Sequence, residues 1–217
     1  TTNLSRRQFM GDAVTVCAAA EAVSGIARAA EPSPGKWLNE PRKWSRKGAT
    51  IHITADPKTD FWRKTFFGYI TDNGHMLYRP VSGDFVSTVR VSGDYATLYD
   101  QAGLMVRYDE STWMKCGVKL VGGRQTVSTV FTRDYSDWST VPLPDAPDAL
   151  WIRVARKGGA LTVSYSRDGK SFEEVRQGWL TPAHTVNVGL MCAAPEGSGF
   201  EARFDEWTTA ATSRLPP

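Results

Sequence analysis

Apolar and polar side chains alternate along much of this chain, and the alternation is clearest between residues 100 and 138. Three runs there have an apolar side chain at every second position, except at Thr129: residues 104–109, 113–120 and 127–132. A period of two means that one face of each strand lies on a core while the other is partly exposed to solvent. Short turn-forming joints, DES and VGGR, separate the runs. The centre of the chain is therefore predicted to be a three-stranded antiparallel meander.

Similar alternation continues on both sides of the meander. Residues 37–44, broken by Pro41, predict a first edge strand, whereas residues 56–64 lack a clean period and predict a loop that packs. The Asn73-Gly74 pair favours a type I′ turn. Further strands are predicted at residues 49–55, 76–79, 85–91, 150–156, 161–166, 172–176, 186–192 and 200–207. About a dozen short strands without a convincing amphipathic helix predict an all-β sandwich or barrel.

The beginning of the chain does not share this pattern. The sequence SRRQFM at residues 5–10 resembles the twin-arginine export motif, and ARA at residues 27–29 offers a cleavage site. Residues 11–30 are only moderately apolar, and Asp12 and Glu21 within them argue against a spanning helix. These features predict a twin-arginine signal peptide, a periplasmic or secreted protein and no membrane span in the mature form. The alternative is a surface helix that carries two arginines by chance.

The chain is therefore predicted to divide into four segments. They are a signal peptide at residues 1–30, a linker and lead-in strand at 31–47, a β-sandwich domain at 48–209 and a C-terminal tail at 210–217. A length of 217 residues with 41% hydrophobic content suffices for one well-buried domain. The formal net charge of +3 is too small to recruit nucleic acid, so we expect no nucleic-acid partner.

The cysteines and histidines limit the metal chemistry of the chain. Cys116 and Cys192 lie on the apolar side of strand patterns, which favours buried free thiols; a disulfide between them in an oxidising periplasm is the alternative. There is no C-x-x-C pair and no Cys/His cluster, so a structural zinc site is not expected. With three histidines in the chain, a three-histidine metal site is not expected either, and we predict no metal site and no cofactor.

Several motifs resemble those of a known family. They are DFWRKT at residues 60–65, TDNGHMLYR at 71–79, QAGLMVR at 101–107, WMKCGV at 113–118 and DWS at 137–139. In this order they resemble the DUF1349 (regulation-of-enolase-like) family of the concanavalin A-like lectin/glucanase superfamily. The resemblance implies a concanavalin A-like jelly-roll sandwich of two antiparallel sheets, with a concave face that often meets carbohydrate in the superfamily. It implies no particular activity and supplies no catalytic residue.

A glycosidase would need two carboxylates about 5 to 9 Å apart in one cleft. The nearest candidate is EARFDE at residues 201–206, where alternation places Glu201 and Asp205 on one face and Glu206 on the other. No acid and base pair emerges from this arrangement, so no catalytic residue is assigned. A glycoside hydrolase or lyase that uses Glu201, Asp205 or His75 remains the first alternative function.

Aromatic and cationic side chains occupy the positions that alternate with the core in several strands. If these strands are neighbours in the concave sheet, they form a groove of indole rings edged with charge, suited to stacking on sugars. We therefore predict a non-catalytic carbohydrate or glycan binder with Trp138 on a loop at the rim. The predicted ligand-binding residues are Arg107, Trp113, Lys115, Trp138, Trp151, Arg153 and His75. The alternative is that the tryptophans fill a second small core under loops.

Three further alternatives stay open. His75 could form a polar pair with Asp60 or Asp72, although a loop histidine that is hydrogen-bonded to the backbone is favoured. Related sandwiches often hold calcium in loops, and residues 134–137 or 145–148 offer such loops here, but without a recognisable ligand spacing. A protein-interaction module, with a protein partner in place of a glycan, is the second alternative function.

Overall fold

The computed structural model describes residues 35–212, and this part of the chain forms sixteen β-strands and no helix. The strands are β1 (Lys36–Leu38), β2 (Lys43–Lys47), β3 (Thr50–Ala55), β4 (Phe61–Arg63), β5 (Ile70–Asp72), β6 (His75–Ser82), β7 (Phe85–Gly93), β8 (Gln101–Arg107), β9 (Thr112–Val121), β10 (Arg124–Arg133), β11 (Tyr135–Pro142), β12 (Leu150–Lys157), β13 (Ala160–Ser166), β14 (Glu173–Trp179), β15 (Thr185–Ala193) and β16 (Phe200–Ala211). Since residues 35–212 contain no helix at all, none of them forms a helical membrane span.

Two seven-stranded antiparallel sheets build the molecule. The first sheet has the order β1-β6-β15-β8-β9-β10-β11, and the second has the order β14-β13-β12-β7-β16-β3-β2. Strands β4 and β5 form a separate two-stranded hairpin. The predicted sandwich of two antiparallel sheets is therefore confirmed, and the predicted meander is present as β8, β9 and β10.

The main core lies between the two sheets. Strands β7 and β12 of the second sheet alternate between buried and half-exposed residues, as expected for strands with one face on the core. In contrast, every residue of β8 is buried, and so are seven consecutive residues in each of β9 and β10. The first sheet is therefore covered on both faces at its centre, because a chain segment packs on its outer face.

That covering segment consists of residues 56–75, which include the β4–β5 hairpin. Phe61 and Trp62 of β4 form a second buried cluster with Met105, Trp113 and Val130 of the first sheet. The predicted loop at residues 56–64 does pack, but it contains the short strand β4, and β5 follows it. The Asn73-Gly74 pair does not close a hairpin: it joins β5 to β6, which belong to different sheets.

Two boundaries differ from those expected. Strands β1 and β2 are hydrogen-bonded members of the two sheets, so the sandwich begins before residue 48. Strand β16 continues to Ala211, within the predicted tail. The predicted signal peptide at residues 1–30 and the last residues of the tail, 213–217, lie outside the described residues.

Candidate functional site

A buried ion pair fixes the covering segment to the first sheet. Lys115 Nζ on β9 lies 2.9 Å from Asp60 Oδ1 and also donates to the carbonyl oxygen of Phe61 at 2.6 Å. Gln101 Nε2 donates to the same Asp60 oxygen at 3.0 Å. Burial lowers the pKa of Lys115, and the charge of Asp60 opposes that shift. Lys115 is only 2% exposed, so these bonds hold the segment in place rather than face a ligand.

A second ion pair anchors the end of the segment. Both terminal nitrogens of Arg107 donate to the carboxylate of Asp72 at 2.7 Å, the bidentate geometry that arginine favours. The guanidinium also lies 6.0 Å from the ring centroid of Phe61. Arg107 is 8% exposed, and its fork is occupied by Asp72. Arg107 therefore joins β8 to β5.

His75 is buried at the start of β6 and hydrogen-bonded to the backbone. Its Nε2 accepts from the amide of Asp56 at 2.9 Å, and its Nδ1 lies 2.6 Å from the carbonyl oxygen of Asn39. This pattern requires the neutral tautomer with the proton on Nδ1. His75 thus fits the predicted backbone-bonded histidine and pairs with neither Asp60 nor Asp72 in the hydrogen bonds that the structure shows.

Lys119 has the most unusual surroundings in the first sheet. Its side chain is almost fully buried, and Nζ lies 4.5 Å from the ring centroids of both Tyr99 and Trp138. Within residues 35–212 its ammonium has no carboxylate partner and no hydrogen-bond acceptor. Burial, with a smaller contribution from the charge of Lys115, lowers the pKa of Lys119 to about 7, although Asp60 opposes this shift.

Aromatic residues form an open cleft beside Lys119. The cleft has a volume of about 640 Å³, within the range of about 300–1,000 Å³ that is usual for small-molecule sites. We call it the aromatic cleft, and its lining residues are Trp62, Thr65, Phe66, Phe67, Tyr99, Tyr135, Ser136, Asp137 and Trp138. Some of these side chains are strongly exposed, Phe66 at 93% and Tyr135 at 61%.

The indole rings of the aromatic cleft are held in fixed orientations. Trp62 and Trp138 pack edge to face with centroids 6.2 Å apart, and Tyr99 packs against Trp138 in the same manner at 6.1 Å. The indole nitrogen of Trp62 donates to the carbonyl of Thr65 at 2.9 Å, and that of Trp138 donates to Ser128 Oγ at 2.8 Å. Because these polar groups are satisfied within the protein, the rings can offer their faces to a ligand.

The predicted site residues do not form one groove. Trp138 lines the aromatic cleft, but it belongs to strand β11 rather than to a loop. Trp113 is fully buried in the second cluster, as the alternative of a second small core expects. The ligand-binding role of these residues, together with Arg107, Lys115 and His75, stays a prediction.

Trp151 and Arg153 lie elsewhere, because their strand β12 belongs to the second sheet. Trp151 Nε1 donates to Glu206 at 3.1 Å, and the guanidinium of Arg153 lies 3.4 Å from the ring centroid of Phe172. The condition that β12 neighbours the meander is therefore not met. Adjacency between strands that are distant in sequence was assumed, and the alternation within a strand cannot supply it.

The acidic residues proposed for catalysis also belong to the second sheet. Glu201 lies 3.1 Å from His52 at the surface, and Asp205 accepts from Thr50 at 2.6 Å and from Arg90 at 3.2 Å. Burial raises the pKa of Asp205, but hydrogen bonds from Thr50 and Arg203 outweigh it and lower the pKa overall. Asp205 is thus an ionised structural group and is poorly suited to act as a general acid.

The two loops considered for calcium hold ion pairs instead. Asp134 contacts Arg63 at 2.9 Å and Lys64 at 2.6 Å, and Asp145 contacts Arg167 at 2.7 Å. In the part of the chain that the structure describes, no group of three or more His, Cys, Asp or Glu side chains could hold a metal ion. Cys116 and Cys192 are unpaired and buried, and burial raises the pKa of both thiols.

Sequence reasoning missed most of the aromatic cleft. Five aromatic residues fall within the nine positions from 61 to 69, in FWRKTFFGY; residues 61–64 belong to the predicted packed loop, and no element is predicted for residues 65–69. This density of aromatic residues in a segment without a strand period was the available signal. The sequence around Tyr99 and Tyr135 contains no comparable signal, since each is a single aromatic residue beside a turn.

Comparisons with known proteins agree with this architecture. Residues 37–212 match the model of a family described as protein of unknown function (DUF1349). A Saccharomyces cerevisiae protein named "Regulation of enolase protein 1" is 38% identical over 181 residues, which span 83% of this chain and 91% of the yeast protein.

Solved structures share the fold. The crystal structure of a functionally unknown protein from Saccharomyces cerevisiae is 37% identical with a TM-score of 0.80, covering 82% of this chain and 97% of that one. The carbohydrate binding module CBM66 from Bacillus subtilis has a TM-score of 0.55 at 13% identity, covering 82% of this chain and 96% of the module. At that identity the module shows a common fold and nothing more. The likeness agrees with the predicted sandwich of two antiparallel sheets.

Proposed function

This chain belongs to the DUF1349 family of proteins of unknown function, and we propose that it is a non-catalytic glycan-binding domain whose binding surface is the aromatic cleft. The cleft itself is the observation that carries the proposal. Its rings are held by internal contacts before any ligand arrives, which reduces the entropy that binding must offset. Flat, exposed ring faces suit the apolar faces of sugars, while Asp137 and the side chain of Thr65 offer polar partners for hydroxyl groups.

The charges around the cleft support binding rather than hydrolysis. Asp137 supplies the single carboxylate among the residues that line the cleft, and it lies 2.6 Å from Arg176. Hydrolysis of a glycosidic bond generally needs two carboxylates that flank that bond. The wall of the cleft therefore provides stacking and hydrogen bonding but lacks a pair of acids.

A glycan array tests this proposal with variants that leave the core intact. The full chain is compared with a Phe66→Ala/Tyr135→Ala variant, since both side chains are exposed and line the cleft. Tyr108→Ala is the matched control, because Tyr108 is 51% exposed but is not among the residues that line the cleft. Binding that survives in the control and is lost in the double variant supports the proposal. Equal binding by all three folded proteins places the site elsewhere, and no binding by any of them rejects a glycan ligand.

A protein partner is the second candidate, and a specific surface favours it. The tip of the β4–β5 hairpin exposes Phe66, Phe67, Tyr69 and Ile70 side by side in the chain. Exposed apolar patches often mark protein interfaces, and the yeast relative carries a name that refers to the regulation of enolase. A purified protein partner that binds the full chain but not Phe66→Ala, in the absence of any glycan affinity, would favour this function.

We also propose that the protein is exported by the twin-arginine route to the periplasm or beyond. The proposal rests on SRRQFM at residues 5–10 and the following ARA at residues 27–29. Fusion of residues 1–30 to a fluorescent reporter tests it. If the proposal is correct, the reporter is exported with the natural leader and retained when both arginines of the motif are replaced by lysine (Arg6→Lys/Arg7→Lys). Export of both fusions, or of neither, argues against this route.

A further inference from the structure

We propose that the ligand of the aromatic cleft is an acidic sugar, a sugar ring that bears a carboxylate, and that Lys119 recognises its negative charge. This inference rests on the proposed glycan-binding function and narrows it to one class of glycan. It predicts discrimination between a carboxylate and its neutral ester at the same site.

The position of Lys119 carries the inference. Its ammonium lies 4.5 Å from the ring centroids of Tyr99 and Trp138, and both rings line the aromatic cleft. Those two ring faces are its only direct attractive contacts among residues 35–212, whereas Lys115 on the same strand has Asp60. A buried charge without a counter-ion is costly. An anion in the cleft would supply the missing counter-charge.

The space around Lys119 shows from which side such an anion could come. Lys119 also lines a small pocket with Gln101, Lys115 and Ser128, and this pocket measures only about 10 Å³. That volume is close to the smallest that holds one water molecule, and it is too small for a carboxylate group. The aromatic cleft is the larger space, and its rings of Tyr99 and Trp138 contact Lys119, which itself is not among the residues that line the cleft. The inference therefore places the carboxylate in the aromatic cleft, beside these two rings.

The residues around the aromatic cleft carry more positive than negative charge, which suits an anionic ligand. Asp134 is shared by Arg63 and Lys64, so two cations face one carboxylate there, and the ammonium of Lys64 also lies 5.0 Å from the ring centroid of Tyr135. The carboxylate of Asp137 is paired with Arg176. Counted with Lys119, the cations around the cleft outnumber the anions. Charge complementarity of this kind favours an anionic ligand over a neutral one.

Binding of an acidic sugar should depend on pH through Lys119. The titratable groups that face it are Lys115 on the same strand, Asp60 on the covering segment and Tyr99. In the free protein the pKa of Lys119 is about 7. A bound anion raises this pKa, so affinity for the acid is full below pH 7 and falls as the pH rises above it, by up to about tenfold for each pH unit. The affinity for a neutral sugar should not depend on whether Lys119 is protonated.

The test uses two ligands that differ only in charge. Isothermal titration calorimetry compares oligogalacturonate with its methyl ester, at pH 6 and at pH 8, against the full chain. The expected result is at least about tenfold tighter binding of the acid at pH 6, equivalent to about 1.4 kcal/mol, and a smaller preference at pH 8. Sulfated oligosaccharide is a third ligand, because preference for sulfate over carboxylate would overturn the carboxylate assignment.

Two variants make the result specific to Lys119. Lys119→Met keeps the length of the side chain and removes its charge, so it should bind acid and ester equally and retain the affinity of the wild type for the ester. Lys170→Met, at an exposed lysine in the turn between β13 and β14, is the matched control and should keep the preference for the acid. Circular dichroism establishes that both variants are folded.

The outcomes separate the two proposals. Equal affinity of the wild type for acid and ester, or a preference for the acid that persists in Lys119→Met, overturns the role of Lys119. Binding of neutral glycans alone, lost in Phe66→Ala/Tyr135→Ala, overturns the inference but leaves glycan binding intact. Failure of every glycan to bind rejects both.

Discussion

Replacing Lys119 by methionine should stabilise the protein, because it removes an unpaired buried charge. Lys119 is 4% exposed, and its pKa is lowered from 10.5 to about 7, mainly by burial. A fall of this size means that the folded state releases a proton that the unfolded chain keeps. Stability is therefore lost as the pH falls from the unfolded pKa, near 10.5, towards 7, and the loss is complete below pH 7.

The free-energy cost of burying the charge of Lys119 follows from the fall in its pKa. One pKa unit is worth about 1.4 kcal/mol, so the charge costs about 5 kcal/mol at pH 6 and about 2 kcal/mol at pH 9, where the folded side chain is already neutral. The value at pH 6 is a ceiling, because contacts with Tyr99 and Trp138 stabilise the ammonium by up to about 2 kcal/mol each. We therefore expect Lys119→Met to raise the free energy of unfolding, and to raise it more at pH 6 than at pH 9.

Urea denaturation followed by circular dichroism at both pH values measures the effect. Lys170→Met, at an exposed lysine, serves as the control and should leave stability unchanged at either pH. A stabilisation by Lys119→Met that is the same at pH 6 and pH 9 would show that Lys119 keeps an ordinary pKa. Destabilisation at both pH values would show that the contacts of the ammonium stabilise the folded protein by more than burial of the charge costs. Either result would refute the reasoning.

Three further predictions concern ion pairs and the two buried cysteines. Asp60→Ala should destabilise the protein by about 3 to 5 kcal/mol in urea denaturation, because it leaves the buried charge of Lys115 uncompensated; a change below about 1 kcal/mol, the size typical of exposed ion pairs, would contradict the anchoring role of this pair. Addition of EDTA or of calcium should leave the melting temperature unchanged, since Asp134 and Asp145 are occupied by cationic side chains. Cys116 and Cys192 should resist a thiol reagent until the protein unfolds, and fast labelling of the native protein would contradict their burial.

The sequence was sufficient to predict most of the strands, but it did not predict β4, β5 or β11, nor which strands are neighbours. The period of two located β8, β9 and β10 and assigned Leu104 and Met114 to the core, because burial on one face leaves that pattern in any strand. It could not show that the opposite face is covered as well. Trp113 and Lys115 follow the same period whether they meet solvent or the packed segment at residues 56–75.

The sequence also did not predict which strands, distant along the chain, pair with each other. Trp151 and Arg153 have the same kind of alternation as the meander, but β12 pairs with β7 and β13 in the second sheet. Alternation within a strand carries no information about which distant strand lies beside it. For the same reason the aromatic cleft was not predicted, since it joins Trp62 to Trp138, two residues separated by the whole of the meander.

Nuclear magnetic resonance of the indole N–H groups tests the central claim most directly. The chain has eight tryptophans, and they differ in position: Trp62 and Trp138 line the aromatic cleft, whereas Trp151 and Trp179 lie on the second sheet. The glycan that binds best on the array is titrated into the ¹⁵N-tryptophan-labelled full chain. Shifts confined to the signals of Trp62 and Trp138 are the predicted result. Shifts of the Trp151 and Trp179 signals with those of Trp62 and Trp138 unchanged would contradict the aromatic cleft as the binding site.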